Sequence, residues 1–107
     1  MAAEIQGVTL RGVEALPVEV EAEITTGMFA FSVVGLPDAA VRESRERVRA
    51  ALRELDVSIY GRIAVNLAPA DLPKEGSLLD LPIAVALARE KKWLYTNFSG
   101  RRYAKLK

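Results

Sequence analysis

Arginines recur at helical spacing along one segment of the chain, at Arg42, Arg45, Arg49 and Arg53. Residues three or four apart lie on the same side of an α-helix, so these four guanidinium groups fall within about 80° of arc. An edge of this kind can bind phosphates. It can equally be solvated surface or a contact to a neighbouring subunit, with Glu46 able to pair with Arg42 or Arg49. The arginines are the candidate contact residues for nucleic acid or for another subunit.

Ser77 and Lys74, three positions apart in a charged segment, are a second set of residues that could carry out chemistry. A lysine activates a serine only when burial lowers the lysine pKa towards neutrality. Charged loops are usually solvated, so we expect Lys74 in water and Ser77 as a turn or capping residue. The sequence therefore predicts no catalytic residue.

Three carboxylates, Asp71, Glu75 and Asp80, also cluster in this segment. Their spacing matches no calcium-loop pattern, and no other type of ligand accompanies them. Asp71 is better explained as a turn residue and Asp80 as a helix cap. We predict no metal site.

The composition of the chain excludes most other kinds of catalytic and metal-binding site. The chain has 107 residues, with no Cys, no His and a net charge of +1. Disulfides, Ser-His-Asp triads and most transition-metal sites are excluded, and no phosphate-binding G-x-x-x-x-G-K-[ST] loop occurs, so no bound cofactor is expected. There is no membrane-length apolar run and no signal-peptide pattern at the start of the chain. The predicted location is cytoplasmic, without membrane contact.

Hydropathy patterning places four strands. Residues 4–10 are a short apolar-rich run, 17–24 and 28–34 alternate between apolar and other residues, and 62–67 alternate again. Period-two alternation indicates a strand with one buried face. The short turn at residues 25–27 predicts that the second and third strands form an antiparallel hairpin.

Two helices complete the pattern. The first is predicted from Pro37 and Asp38 to about Leu55, and its core face is predicted to hold Val41, Ser44, Val48, Leu52 and Leu55. The second follows a loop at 68–80, is apolar on nearly every side and is therefore buried. We prefer Asp80 as its N-cap, with a start at Ser77 as the alternative. The order β-β-β-α-β-α predicts a two-layer α+β domain, one mixed sheet with helices on one face.

Two segments then match a known family. One runs from Val34 to Arg49 (VGLPDAAVRESRERVR); the other is residues 66–76 (NLAPADLPKEG) together with Asp80–Ala84 (DLPIA). Both resemble the N-terminal domain of the ComM/YifB family, which is magnesium-chelatase-like. Pro17–Glu21 and Thr26–Gly27 fit as well, so the resemblance covers residues 5 to about 88.

The resemblance implies a bacterial AAA+ protein in which this domain precedes an ATPase module. It implies a hexameric, ATP-driven DNA helicase that promotes branch migration, and hence DNA recombination, in natural transformation. ATP and magnesium would belong to the ATPase module, and the partners would be that module, the sister subunits of a ring and DNA. The implied fold is similar to the Lon proteolytic domain and to GHMP kinases, with a left-handed strand-helix-strand crossover against the general rule.

The Lon-like comparison also bears on Ser77. Alignment of Pro73–Gly76 on the Lon-like loop puts Leu78 at the nucleophile position, and the partner lysine of Lon would lie beyond the end of this chain. We expect a non-catalytic accessory domain, with a degenerate hydrolase or a protein-interaction module unrelated to DNA as alternatives.

The end of the chain departs from the family pattern. The ComM-like domain is predicted at residues 1–90, and a basic, aromatic tail at 91–107 that carries Trp93, Tyr95, Phe98 and Tyr103. The tail could be disordered or could clamp single strands. The chain could be an isolated domain, a truncated gene product or a domain with a foreign tail.

Overall fold

A computed structural model describes residues 3–91. Except for Lys91, the predicted tail therefore lies outside the described residues. The elements are, in chain order, β1 (Ala3–Arg11), β2 (Glu14–Thr25), β3 (Ala30–Val34), α1 (Ala39–Arg42), α2 (Ser44–Glu54), β4 (Arg62–Ala68) and α3 (Asp80–Glu90).

The four strands form one mixed sheet in the order β1-β2-β4-β3. β1 pairs antiparallel with β2, β2 antiparallel with β4, and β3 parallel with β4. The predicted α+β class with one mixed sheet is confirmed. Similarity to the Lon proteolytic domain and the left-handed crossover stay predictions.

The predicted hairpin of the second and third strands is wrong, because β4 lies between them. Thr25 and Ala30 both pair with Arg62, one on each side of β4. The four residues between Thr25 and Ala30 are long enough to span two strand spacings, about 10 Å. The turn therefore reverses the chain direction without making the flanking strands neighbours. The hairpin of the fold is β1-β2, which turns at Gly12 with φ 64°.

The first predicted helix is two helices. Glu43 ends α1 and precedes α2 with ψ −5°, far from the α-helical value of about −42°. The amide of Glu46 accordingly bonds the carbonyl of Glu43, three residues back. No proline or glycine marks this break in the sequence.

The predicted core face of this segment is correct except at its end. Val41, Ser44, Val48 and Leu52 are buried, whereas Leu55 is 53% exposed. α2 ends at Glu54, and Asp56 takes a left-handed φ of 61°. The chain turns there, so Val57 occupies the buried position instead of Leu55.

Helices α2 and α3 pack on each other, and α3 also packs on β1 and β2. The core between the layers takes the inward residues of β2 and β4 and the buried residues of α3, including Ile83 and Leu87. Gly7 permits close packing, since a Cβ there would lie 2.9 Å from side-chain atoms of Leu79 and Pro82. Within residues 3–91, no helix is long and apolar enough to cross a membrane.

Candidate nucleic-acid interface

The four predicted contact arginines form a row on the helical layer, referred to below as the arginine row. Arg42 lies on α1, and Arg45, Arg49 and Arg53 lie on α2. Arg42, Arg45 and Arg53 are exposed, and Arg49 is half-buried. Arg42 therefore lies across the break at Glu43 from the other three, and three of the four side chains are open to solvent.

The row has little acidic compensation. The Nε of Arg45 lies 3.8 Å from the Oε2 of Glu46, and both side chains are more than half exposed. An exposed pair of this kind contributes about 0–1 kcal/mol. Glu46 thus pairs with Arg45 rather than with Arg42 or Arg49, and within residues 3–91 those two and Arg53 form no ion pair.

Arg49 has an aromatic partner that sequence reasoning missed. Its guanidinium carbon lies 4.3 Å from the centroid of the Phe29 ring, which is 48% exposed. Phe29 falls within the predicted strand at 28–34, but β3 begins only at Ala30. A cation over an aromatic face is attracted to the ring without using its N–H donors. The guanidinium of Arg49 is therefore positioned and still able to donate.

Arg47 lies on the same helix but has a structural role. Its Nε and Nη2 donate to the two carboxylate oxygens of Asp80, at 2.5 and 3.1 Å, and Nη2 also donates to the carbonyl of Ala40. The hydrogen bond to Asp80 raises the pKa of Arg47 above its usual value. This bidentate contact joins α2 to the first turn of α3.

The predicted N-cap role of Asp80 is wrong, although the predicted helix start is confirmed. Asp80 is the first residue of α3, Leu79 occupies the cap position, and no side chain caps that end. The carboxylate of Asp80 is engaged by Arg47 instead. Asp38, by contrast, caps α1, since its Oδ1 accepts from the amide of Val41 at 2.8 Å.

Lys74 overturns the expectation of a solvated charge, because its side chain is fully buried. Its Nζ donates to the carbonyl oxygen of Pro69. Burial lowers the pKa of Lys74 from its usual value, and the nearby carboxylate of Asp71 opposes that shift. The loop closes over its own lysine.

Backbone bonds explain why this loop folds inward. The amide of Lys74 donates to the carbonyl of Leu36 at 3.0 Å, and the amide of Asp38 donates to the carbonyl of Lys74 at 2.9 Å. The Oδ2 of Asp38 accepts from the amide of Gly76, and the buried hydroxyl of Thr9 accepts from the amide of Glu75. The loop is thereby held against β1 and the start of α1.

The other polar residues of the loop are not brought together. Ser77, Asp71 and Glu75 are exposed, while Asp80 is occupied by Arg47. In the described part of the chain, no group of three acidic residues could hold a metal ion. The hydrogen-bond partner of Lys74 is a backbone carbonyl, not the hydroxyl of Ser77.

Together, these features define a small mixed-sheet domain with a basic helical face. Residues 20–99 match the family described as subunit ChlI of Mg-chelatase. The chain is 46% identical over 87 residues to the uncharacterised protein YifB of Escherichia coli K12, an alignment that covers 80% of this chain and 17% of that protein. It is 48% identical over 77 residues to the competence protein ComM of Haemophilus influenzae, with coverage of 71% and 15%.

An uncharacterised protein of Mycobacterium tuberculosis H37Rv is 47% identical over 88 residues, with coverage of 79% of this chain and 18% of that protein. The chain belongs to the magnesium-chelatase-like ComM/YifB family. It spans about a sixth of the length of these curated relatives.

Proposed function

We propose that the chain is a non-catalytic accessory domain of a magnesium-chelatase-like AAA+ DNA motor, and that its arginine row contacts DNA phosphates. The observation that carries this proposal is the exposed row itself, where Arg42, Arg49 and Arg53 have no acidic partner among residues 3–91. The H. influenzae relative is named a competence protein, which agrees with a role at DNA.

The wider protein supplies the remaining parts of this proposal. The relatives are much longer than this chain, so an ATPase module that binds ATP and magnesium is assigned to the rest of the protein. Sister subunits of a ring are the other proposed partners. Phosphate contacts from one domain are weak, and several copies around a ring would raise the overall affinity by multivalency.

Charge reversal at two positions of the row tests the proposal. Arg45→Glu with Arg49→Glu should abolish retention of DNA at low salt, because phosphate contacts dominate such binding. For the wild-type chain, each phosphate contact should add about 0.9 to the slope of log affinity against log salt. Fluorescence anisotropy of labelled DNA across a salt series measures both quantities.

A matched control is available on the sheet. Arg11→Glu with Arg62→Glu changes the net charge equally, and both residues are exposed, Arg11 at the end of β1 and Arg62 at the start of β4. This control should bind DNA nearly as well as the wild type. Equal loss in both double variants, or no DNA binding by the wild type, would contradict the proposed contact.

A second candidate is contact of the row with a neighbouring subunit, and one observation favours it. The sheet face opposite the helices carries a row of glutamates, Glu4, Glu19, Glu21 and Glu23, with Glu4 paired directly across from Glu21. That acidic face is complementary to the arginine row of another copy. Salt-sensitive self-association in sedimentation, lost in the Arg45→Glu, Arg49→Glu variant, would favour this candidate over DNA.

The degenerate-hydrolase alternative is tested at Ser77. Ser77→Ala should leave any measured peptidase activity unchanged, since the hydrogen bond of Lys74 goes to Pro69 instead. Loss of a peptidase activity in that variant would support the hydrolase.

The third alternative is an interaction module unrelated to DNA. It predicts that the salt series described above shows no DNA retention at any salt concentration.

A further inference from the structure

A cavity of about 160 Å³ opens at the C-terminal half of the arginine row. It lies between α2 and the segment that leads from α2 into β4. Its lining includes two arginines and one tyrosine, and the remaining residues are mainly apolar. The lining residues are Arg49, Leu52, Arg53, Val57, Ser58, Ile59 and Tyr60.

The charged residues that line this cavity are both arginines. Arg49 and Arg53 line it, and no lining residue is acidic. Lys91 adds a third cation at the rim: its Nζ donates to the carbonyl of Ser58 at 2.7 Å and lies 6.0 Å from the centroid of the Tyr60 ring. The cavity therefore favours an anionic ligand.

Tyr60 gives the cavity a second property. Its side chain is 74% exposed, whereas its neighbour Ile59 is buried. A largely exposed aromatic ring near two guanidinium groups offers a stacking surface next to N–H groups that can bind an anion. Planar aromatic ligands that carry phosphate fit this combination, whereas a carboxylate peptide would use the cations but not the ring.

The volume of the cavity indicates that it would hold one monomer of a long ligand rather than a whole small metabolite. Pockets for small molecules usually measure about 300–1,000 Å³, well above this cavity. The arginine row leads directly out of it: Arg45 and Arg53 are eight residues apart on α2, about 12 Å along the helix axis. That distance matches the rise of about three or four stacked nucleotides.

We propose that this cavity binds single-stranded nucleic acid, with an unpaired base against Tyr60 and the adjoining phosphates on Arg49, Arg53 and Lys91. The inference rests on the proposed DNA contact and specifies the form of the ligand. A base can stack on a protein ring only when it is free of its duplex neighbours. The arginine row alone does not distinguish one strand from two, whereas the ring does.

The test compares Tyr60→Ala with Tyr60→Phe in the full chain. The probes are a labelled 12-nucleotide oligothymidylate, its duplex with oligoadenylate, and a polyglutamate competitor, followed by anisotropy at low salt. Loss of one stacked base costs about 1–3 kcal/mol, so Tyr60→Ala should weaken single-strand binding about 5- to 150-fold. Tyr60→Phe should bind like the wild type, and duplex binding should change in neither variant.

Tyr60 is exposed, so both variants should fold, and their thermal unfolding is measured alongside. Equal single-strand binding by Tyr60→Ala and the wild type would overturn the inference while leaving the phosphate contact of the row standing. Loss of single-strand binding in Tyr60→Phe as large as in Tyr60→Ala would overturn it too, as would displacement by polyglutamate at equal charge concentration. Failure of the wild type to bind either form of DNA would instead remove the proposed function and the inference together.

Discussion

The Lys74 loop and the arginine row are both cationic segments, yet the fold treats them in opposite ways. Lys74 is fully buried and donates to a carbonyl of its own loop. The row remains exposed, with one weak pair to Glu46. In each segment the backbone decides the environment of the charge. A loop can close over its own side chain, but a helix must present one side to water once its apolar side is packed.

The same contrast separates basic residues that bind groups within the domain from basic residues that have no such partner. Arg47 and Lys74 both donate to groups within the domain, at Asp80 and Pro69 respectively. Arg42 and Arg53 have no such partner among the described residues. A basic residue in this chain is therefore available to an external ligand only where the domain does not already occupy its donors.

The largest loss of stability is expected from truncation of buried side chains in α3. Ile83 and Leu87 are fully buried, so Ile83→Ala or Leu87→Ala should reduce the free energy of unfolding by about 2–5 kcal/mol. Urea denaturation followed by circular dichroism measures the change. A loss below about 0.5 kcal/mol would show that α3 lies outside the core.

Lys74→Ala should come next in size, with a loss of about 1–4 kcal/mol, because truncation removes a buried stem and leaves a cavity. Lys74→Met keeps the stem and removes the charge, so its free energy of unfolding should stay within about 1 kcal/mol of the wild type. The same urea titrations apply. If Lys74→Ala proved as stable as the wild type, Lys74 would be a solvated charge and would not differ from the arginines of the row.

The pH dependence of stability should also separate Lys74 from the row. Burial lowers the pKa of Lys74 from 10.5 in the folded chain, so between the lowered value and 10.5 the unfolded chain binds more protons. The free energy of unfolding of the wild type, relative to Lys74→Met, should therefore rise with pH across that window. The gain should be complete above 10.5 and lost as pH falls through the folded pKa. A difference that is flat from pH 7 to 11 would contradict this.

The smallest effect is expected in the row. Arg42→Ala and Arg53→Ala remove exposed side chains without an acidic partner, so each should change the free energy of unfolding by less than about 0.5 kcal/mol. Chemical denaturation at matched salt provides the measurement. A loss above 1 kcal/mol at Arg53 would mean that the row holds the domain together, and would weaken its assignment to an external ligand.

Much of the fold follows from local pattern. Alternation along residues 17–24 and 62–67 identifies two strands, and the apolar run from Asp80 identifies α3. The helical spacing of Arg45, Arg49 and Arg53 is likewise consistent with their place on one helix, α2, whereas Arg42 lies on α1. These features depend on the fixed periods of strand and helix, so neighbouring residues in the chain are enough to reveal them.

The strand order and the role of Asp80 could not be predicted, because they depend on residues far apart in the chain. β4 enters between β2 and β3 although two helices separate it from either strand along the chain, so the turn at 25–29 could not reveal the strand order. Asp80 has the residue type of a cap, but Arg47 on another helix takes its carboxylate. Tyr60 carried no recognisable pattern and Phe29 was assigned to a strand, because the contacts of both rings are with residues far along the chain, Arg49 and Lys91.

The residue pattern alone is enough to locate the four strands and the helical segments and to recognise the family, since each depends on residue type at short, regular spacing. Which cations are buried and which stay exposed depends instead on long-range packing. Lys74 was buried by bonds from its loop to Leu36, Asp38 and Thr9, and the cavity at Tyr60 formed where the end of α2 meets the segment before β4. Burial and cavity shape depend on which surfaces pack together, and the chemistry of each residue then follows from its neighbours.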